Sequence, residues 1–377
     1  MATRSKRWAL IAIALCSAPL GAIEAPSPQA SEQPLAAEPA RAQIEPTDET
    51  AFYAKLQRVT HWRNLRDLKV AEEVIQQVAE GRADLAVATL NAAAAQGSEE
   101  ANIALVRIQH WCGRVGSARP IDPQQQIPKL SPDLPPERAA RAAGVLVAEA
   151  AFLPRAVQGC RAARFDYGAI EDRLRDAADS GKPASATELA QFTRDPKKRD
   201  ALLEEAAKKG YAPAMYAVAT RRVIDVQRAE RTQDVASIRL FLKQAGRTMP
   251  KAKVDLANCM ALGCDGHPAD APSAAAFGTD AARDGEPSAF LSMMRMPWGF
   301  RLQRTQLLAW QRFGDRLNEA GCMGDTYIVQ ATAFAQSIQL LTKDADENMI
   351  ADADQLAEQL WRDNSARAQK EQGCAAS

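Results

Sequence analysis

The sequence has no net charge, with 47 Lys and Arg against 47 Asp and Glu, and so carries no basic footprint for nucleic acid. It has only 3 His, and none stands in a His-Glu-x-x-His motif. Gly-x-Ser-x-Gly, Ser-x-x-Lys and Walker loops are also absent, which removes the enzyme classes those signatures announce. The run of apolar residues near the start, Trp8 to Leu15, is too short to cross a bilayer. Glycine is sparse at 20 of 377 residues, yet several glycines recur at one place in a pattern.

The pattern is Ala, then usually Ala or Gly, then two free positions, then usually Gly. It begins at Ala93, Ala177, Ala206, Ala245, Ala281 and Ala320, and its fifth positions are Gly97, Gly181, Gly210, Met249, Gly285 and Gly324. Three residues before each leading alanine stand Leu90, Leu174, Leu203, Leu242, Gly278 and Leu317. A large and a small apolar residue one turn apart share a helix face, where the methyl group lets a neighbouring backbone approach. The glycine ends the helix, because without a Cβ it takes the left-handed conformation cheaply. Four residues on come Ala101, Ser185, Ala214, Lys253, Ala289 and Ile328, and four further Leu105, Leu189, Val218, Ala257, Met293 and Thr332, so a second apolar helix follows each stop.

Successive fifth positions are 84, 29, 39, 36 and 39 residues apart, and the last four intervals fit the period of paired-helix solenoids. The long first interval holds six prolines between residues 113 and 136, then an apolar helical run from Glu137 to Arg164 with room for a degenerate repeat.

The run Asp270, Ala274, Phe277, Ala281, Ala282, Gly285, Ala289, Met293 resembles a Sel1-like repeat of the tetratricopeptide-related, exported bacterial type. Leu202, Ala206, Ala207, Gly210, Ala214 and Val218 resemble a second copy. The resemblance extends over roughly residues 83 to 340. It implies an all-α fold, an α/α solenoid (superhelix) of Sel1-like helix pairs, used as an adaptor that takes a protein or peptide on its concave face. It transfers no catalytic residue and no cofactor.

Domain organisation follows. Arg4, Lys6, Arg7 and the apolar run predict a signal peptide over residues 1–25, whose removal leaves a charge of minus two, with export to the periplasm, the envelope or the medium. Residues 26–48, rich in Pro and Ala, read as a disordered linker. Residues 49–82 read as N-terminal helices, 83–340 as the solenoid interrupted by the Pro-rich loop 113–136, and 341–377 as a C-terminal capping helix and tail. Capping helices at both ends cover a solenoid's exposed core.

With Cys16 lost alongside the signal, Cys112, Cys160, Cys259, Cys264, Cys322 and Cys374 remain, an even number that favours disulfides in an exported chain. Fifteen pairings are possible. The simplest joins neighbours in sequence: Cys112 with Cys160, Cys259 with Cys264, and Cys322 with Cys374. Cys112 and Cys264, fifteen positions after the glycine place, are expected at the end of a second helix. Cys259, Cys264 and His267 lack a fourth ligand and match no strong zinc signature. Asp344, Asp346 and Asn348 open like a calcium loop, but Met349 and Gln355 break it, and a helix N-terminus is the simpler reading. His61 and His110, each before a tryptophan, read as packing residues.

Carboxylate pairs such as Glu204 with Glu205 read as solvated helix faces. The segment Met293 to Arg301 offers a candidate partner surface in Met294, Arg295, Trp298 and Phe300, residue types enriched at interface hot spots. The competing reading is that Trp298 and Phe300 seal a junction between repeats. The function these features favour is a non-catalytic scaffold without cofactor or metal. The alternative is a cell-envelope hydrolase, directed at peptidoglycan or a β-lactam, with no recognisable motif.

Overall fold

The computed structural model describes residues 48–227, 235–264 and 266–374; the expected signal peptide, Cys16 and nearly all of the linker lie outside them. Seventeen α-helices, with short 3-10 turns, make up the regular structure of the described residues. They are α1 Asp48–Leu65, α2 Glu72–Ala79, α3 Ala83–Ala95, α4 Glu99–Ser117, α5 Pro123–Gln126, α6 Pro136–Ala162, α7 Tyr167–Asp179, α8 Pro183–Phe192 and α9 Pro196–Lys208. Then come α10 Ala212–Gln227, α11 Val235–Ala245, α12 Pro250–Leu262, α13 Ala271–Arg283, α14 Pro287–Arg295, α15 Arg304–Glu319, α16 Tyr327–Thr342 and α17 Glu347–Gln372. Each stop separates the two helices of a pair, α3 with α4, α7 with α8, and so on to α15 with α16, and each pair packs on the next.

The stops share one hydrogen-bond arrangement. At Gly97 (φ 91°) the glycine N–H donates to Ala94 O at 3.0 Å and the next N–H, of Ser98, donates to Ala93 O at 3.1 Å, which satisfies two carbonyls the helix leaves open. The same two bonds recur around Gly181, Gly210 and Gly285. Proline then opens the second helix at Pro183 and Pro287, where its missing N–H costs nothing. At Met249 there is no left-handed glycine; Thr248 and Met249 both donate to Ala245 O, and the turn hands over directly to Pro250. Leu90, Leu174 and Leu242 of the first helices are buried, as are Ala101, Ala214 and Ala289 of the second helices.

The sixth unit corrects the expected register. Its helix ends at Gly321 (φ 78°), whose N–H donates to Asn318 O while Cys322 N–H donates to Leu317 O. Leu317 therefore holds the place of the leading alanine, and Gly314 the place of the leucine. Gly324 belongs to a 3-10 turn, Gly324–Thr326, inserted before α16. Gly278 and Gly314 thus share one repeat position, and aromatic rings fill the space a leucine would occupy. A Cβ on Gly278 would lie 2.4 Å from the ring of Trp298, and one on Gly314 would lie 2.7 Å from Phe334 and 2.8 Å from Phe290.

The Pro-rich segment also differs in extent. Residues 113–117 finish α4, so the irregular chain starts at Ala118 and itself contains α5. It leads into α6, which joins the two ends of the array. On one side α6 packs against α1, α3 and α4. On the other, Leu134 and Ala142 pack with Ala331 and Ala335 of α16, Arg138 pairs with Asp315, and Arg141 Nη1 donates to Glu319 at 2.7 Å. The last helix, α17, passes over α16 and packs on α15 and α13.

Disulfides join Cys112–Cys160, Cys259–Cys264 and Cys322–Cys374, the pairs suggested by sequence order. The first ties α4 to α6, the second closes the turn after α12, and the third ties the turn after α15 to the residues just beyond α17. Cys112 lies inside α4, five residues before its end, and not at the terminus expected.

Candidate binding surface

Helix α1 lies against the turn after α15 and the residue that ends α17. Turn glycines receive its side chains at close range: a Cβ on Gly373 would meet Trp62, one on Gly321 would meet Phe52 and Lys55, and one on Gly324 would meet Thr60. Its buried residues, Tyr53, Leu56, Gln57, Val59, His61 and Leu65, go round the helix and form no single stripe.

Two arginines of α1, and Arg66 just past its end, direct their guanidinium groups at backbone carbonyls. Arg58 donates to Gly373 O at 3.5 Å, Arg63 to Cys322 O and to Met323 O (3.4 Å), and Arg66 to Glu371 O at 2.9 Å and Thr248 O at 3.2 Å. Most of these acceptors sit at or just past a helix C-terminus, where open carbonyls gather the negative end of the peptide dipoles. A cation there satisfies a hydrogen bond and a field together.

Beside the end of α1, Arg107 of α4 is held from several sides. It donates to both oxygens of Asp67 (2.5 and 2.9 Å), to Glu188 of α8 (2.9 Å) and to Asn64 O (2.8 Å), while Tyr211 O–H donates to Asp67 at 3.2 Å. Burial works against the Arg107 charge, but Asp67 and Glu188 outweigh it and hold the proton more firmly than usual. Burial raises the Glu188 carboxyl against the pull of Arg107. Such a cluster is a fixed joint between α1, α4, α8 and the turn before α10; its donors are already engaged.

His61 is buried edge-on against Trp111, ring centroids 4.8 Å apart. Burial, with a smaller push from Arg114, lowers its pKa to about 3, so the ring is neutral. His110, expected to be packed, is exposed, because it lies on the outer face of α4 with Phe192 as its aromatic neighbour.

A cavity of about 30 Å³, water-sized, is lined by Tyr53, Gln57, Glu149, Asp325 and Tyr327 among others. Burial and then the Asp325 charge raise the Glu149 carboxyl above its ordinary range. No group of three or more His, Cys, Asp or Glu suited to a metal ion occurs among the described residues.

The four residues singled out as a partner surface part company. Trp298 is 0% exposed, its indole N–H donating to Asn258 Oδ1 at 2.9 Å. Its place as a contact residue is corrected: it fills the gap over Gly278 and seals two repeats. Met294 is half-buried against Leu341, Leu307 and their neighbours, whereas Arg295 is exposed and Phe300 is 69% exposed. Of the carboxylate pairs, Glu204 pairs with Arg222 and Glu205 with Lys209. Asp346 caps α17, accepting from Met349 N–H at 2.7 Å.

No family model and no curated protein matches the sequence. Solved structures do. The likeness is to Sel1-repeat structures. One is a protective antigen present in uropathogenic Escherichia coli strains and displaying an SLR fold, 14% identical with a TM-score of 0.44, the match covering 85% of this chain. The chain spans 64% of the length of that antigen. Another is a Sel1 repeat protein from Oxalobacter formigenes, 17% identical with a TM-score of 0.36, covering 91% of this chain and 98% of that one.

The arginines of α1 and the Arg107 joint were missed in the sequence. Their partners lie 14 to 315 residues away and are mostly backbone atoms, which leave no residue-type signal.

Proposed function

We propose that the chain is a non-catalytic protein-binding scaffold of an oxidising, extracytoplasmic compartment. Three disulfides support that compartment. The reading rests above all on α1: the array already holds a helix along its turns, through carbonyl-directed arginines and small turn residues, and a stack of helix pairs built in this way is a recognition surface. Because α1 covers only the turns around residues 321–324, a partner meets the remaining turns, the outer surfaces of the pairs and the loops between them. Phe300 and Arg295, both exposed beside the rigid Trp298 junction, form a contact point there.

The test is affinity capture with crosslinking from the native envelope. Replacing Phe300→Ala and Arg295→Ala together is expected to remove captured proteins with the melting temperature unchanged. Trp298→Ala is expected to destabilise the fold by about 3–5 kcal/mol. A capture profile that survives the double substitution removes the contact point. A wild-type chain that captures no protein overturns the scaffold itself.

A further inference from the structure

Charge is unevenly distributed along a chain that is neutral as a whole. Residues 194–251 hold 14 Lys and Arg against 7 Asp and Glu. The structure gives part of this excess an order. In three successive units the second residue after the leading alanine is a cation: Lys208 in α9, Arg247 after α11 and Arg283 in α13. All three are exposed, and among the described residues none forms an ion pair. Each cation sits in or just past the last turn of its own helix, where it complements that helix's dipole, and the repeat sets the three in one register with no carboxylate bound to them, whereas Lys209 alongside is bound by Glu205.

The turns that carry these cations are neighbours. Lys209 Nζ reaches across from its own unit to Gly181 O of the preceding turn, at 3.2 Å. Lys253, just past the turn after α11, reaches Asp280 and Asp284 of the next unit, each at 2.6 Å. The row also has ends. The same position carries Asp179 in α7, exposed, and Glu319 in α15, bound by Arg141.

We propose that Lys208, Arg247 and Arg283 form a cationic row that binds a short, extended acidic segment of a partner protein. This names a partner chemistry for the protein-binding reading above and rests on it. Helices pack roughly 10 Å apart, so three units cover about 20 Å, the reach of about six extended residues. Side chains at every second residue of an extended segment share one face, so a run of acidic residues presents a carboxylate within reach of each cation. Asp179, exposed at one end, repels a polyanion that runs on past the row, and at the other end Glu319 supplies no cation to extend it, which selects a short acidic peptide over a long nucleic acid.

The experiment titrates a fluorescent polyglutamate peptide against the full chain at low salt, where exposed charges are least screened. The comparison is between Lys208→Gln/Arg247→Gln/Arg283→Gln and a control that removes equal charge, Arg194→Gln/Lys197→Gln/Lys198→Gln, with circular dichroism checking the fold of both. The row variant is expected to lose roughly tenfold in affinity and the control to keep it. Equal losses in both, or no peptide binding by the folded wild type, overturn the row. So does tighter binding of single-stranded DNA, or of vesicles containing phosphatidylglycerol, through the same three residues. None of these results bears on envelope capture, so failure of the row and failure of the scaffold are read separately.

Discussion

The two end helices, α1 and α17, were expected to do the same job, and they are held in opposite ways. α17 presents one face to the array, burying Ala353, Ala357 and Ala368, and lines its edges with ion pairs to Arg312 and Arg316 of α15. α1 buries residues over most of its circumference, and its arginines reach the backbone of distant turns. A cap of the α17 kind can be read from a period of 3.6. A helix of the α1 kind cannot, because its stripe blurs once buried residues, Gln57 and His61 among them, spread over most of the circumference.

The contrast can be broken at the point where the two helices meet. Replacing Cys322 and Cys374 by serine unties the turn under α1 from the end of α17, and the loss is expected to be about 4 kcal/mol for a loop of that length. Chemical denaturation of the oxidised wild type and the double variant measures it; equal midpoints would mean that the packing of the two helices suffices. Arg63→Leu leaves the carbonyls of Cys322 and Met323 without their donor and is expected to cost about 2 kcal/mol, measured in the same way.

A further effect separates the helices by pH. His61 is held neutral with a pKa of about 3, while the unfolded chain takes up the proton near the ordinary value of 6.5. The stability it contributes is complete above pH 6.5 and is lost as pH falls toward 3, by up to about 1.4 kcal/mol per pH unit. His61→Phe should flatten that slope in melts from pH 7 to 4; an unchanged slope would place the acid sensitivity elsewhere. The smallest effect belongs to the edge of α17, where Glu358→Gln removes an exposed pair with Arg316 and should leave the melting midpoint where it was.

The sequence was most readable where structure is local. The Leu, Ala and Gly register marks four glycine stops and the second helix after each, since these depend on neighbours within one turn. It misled at the sixth unit, where an inserted turn supplies a second glycine and the repeat can be aligned on either. The burial of Trp298 was half-legible. A leucine was missing at Gly278, and a missing leucine needs something large to fill its place; only the third dimension shows that the filler lies twenty residues on. The outline of the binding surface was least readable, because α1 covers the turn after α15 by contacts that skip most of the chain.

Because α6 touches both α3 and α4 at one end of the array and α15 and α16 at the other, the number of helix pairs is locked. Open repeat proteins lengthen and shorten freely by duplicating or losing a unit. Here an added pair would pull Arg138 away from Asp315 and α1 away from the turn after α15, so a change of count breaks contacts that a change of surface leaves intact.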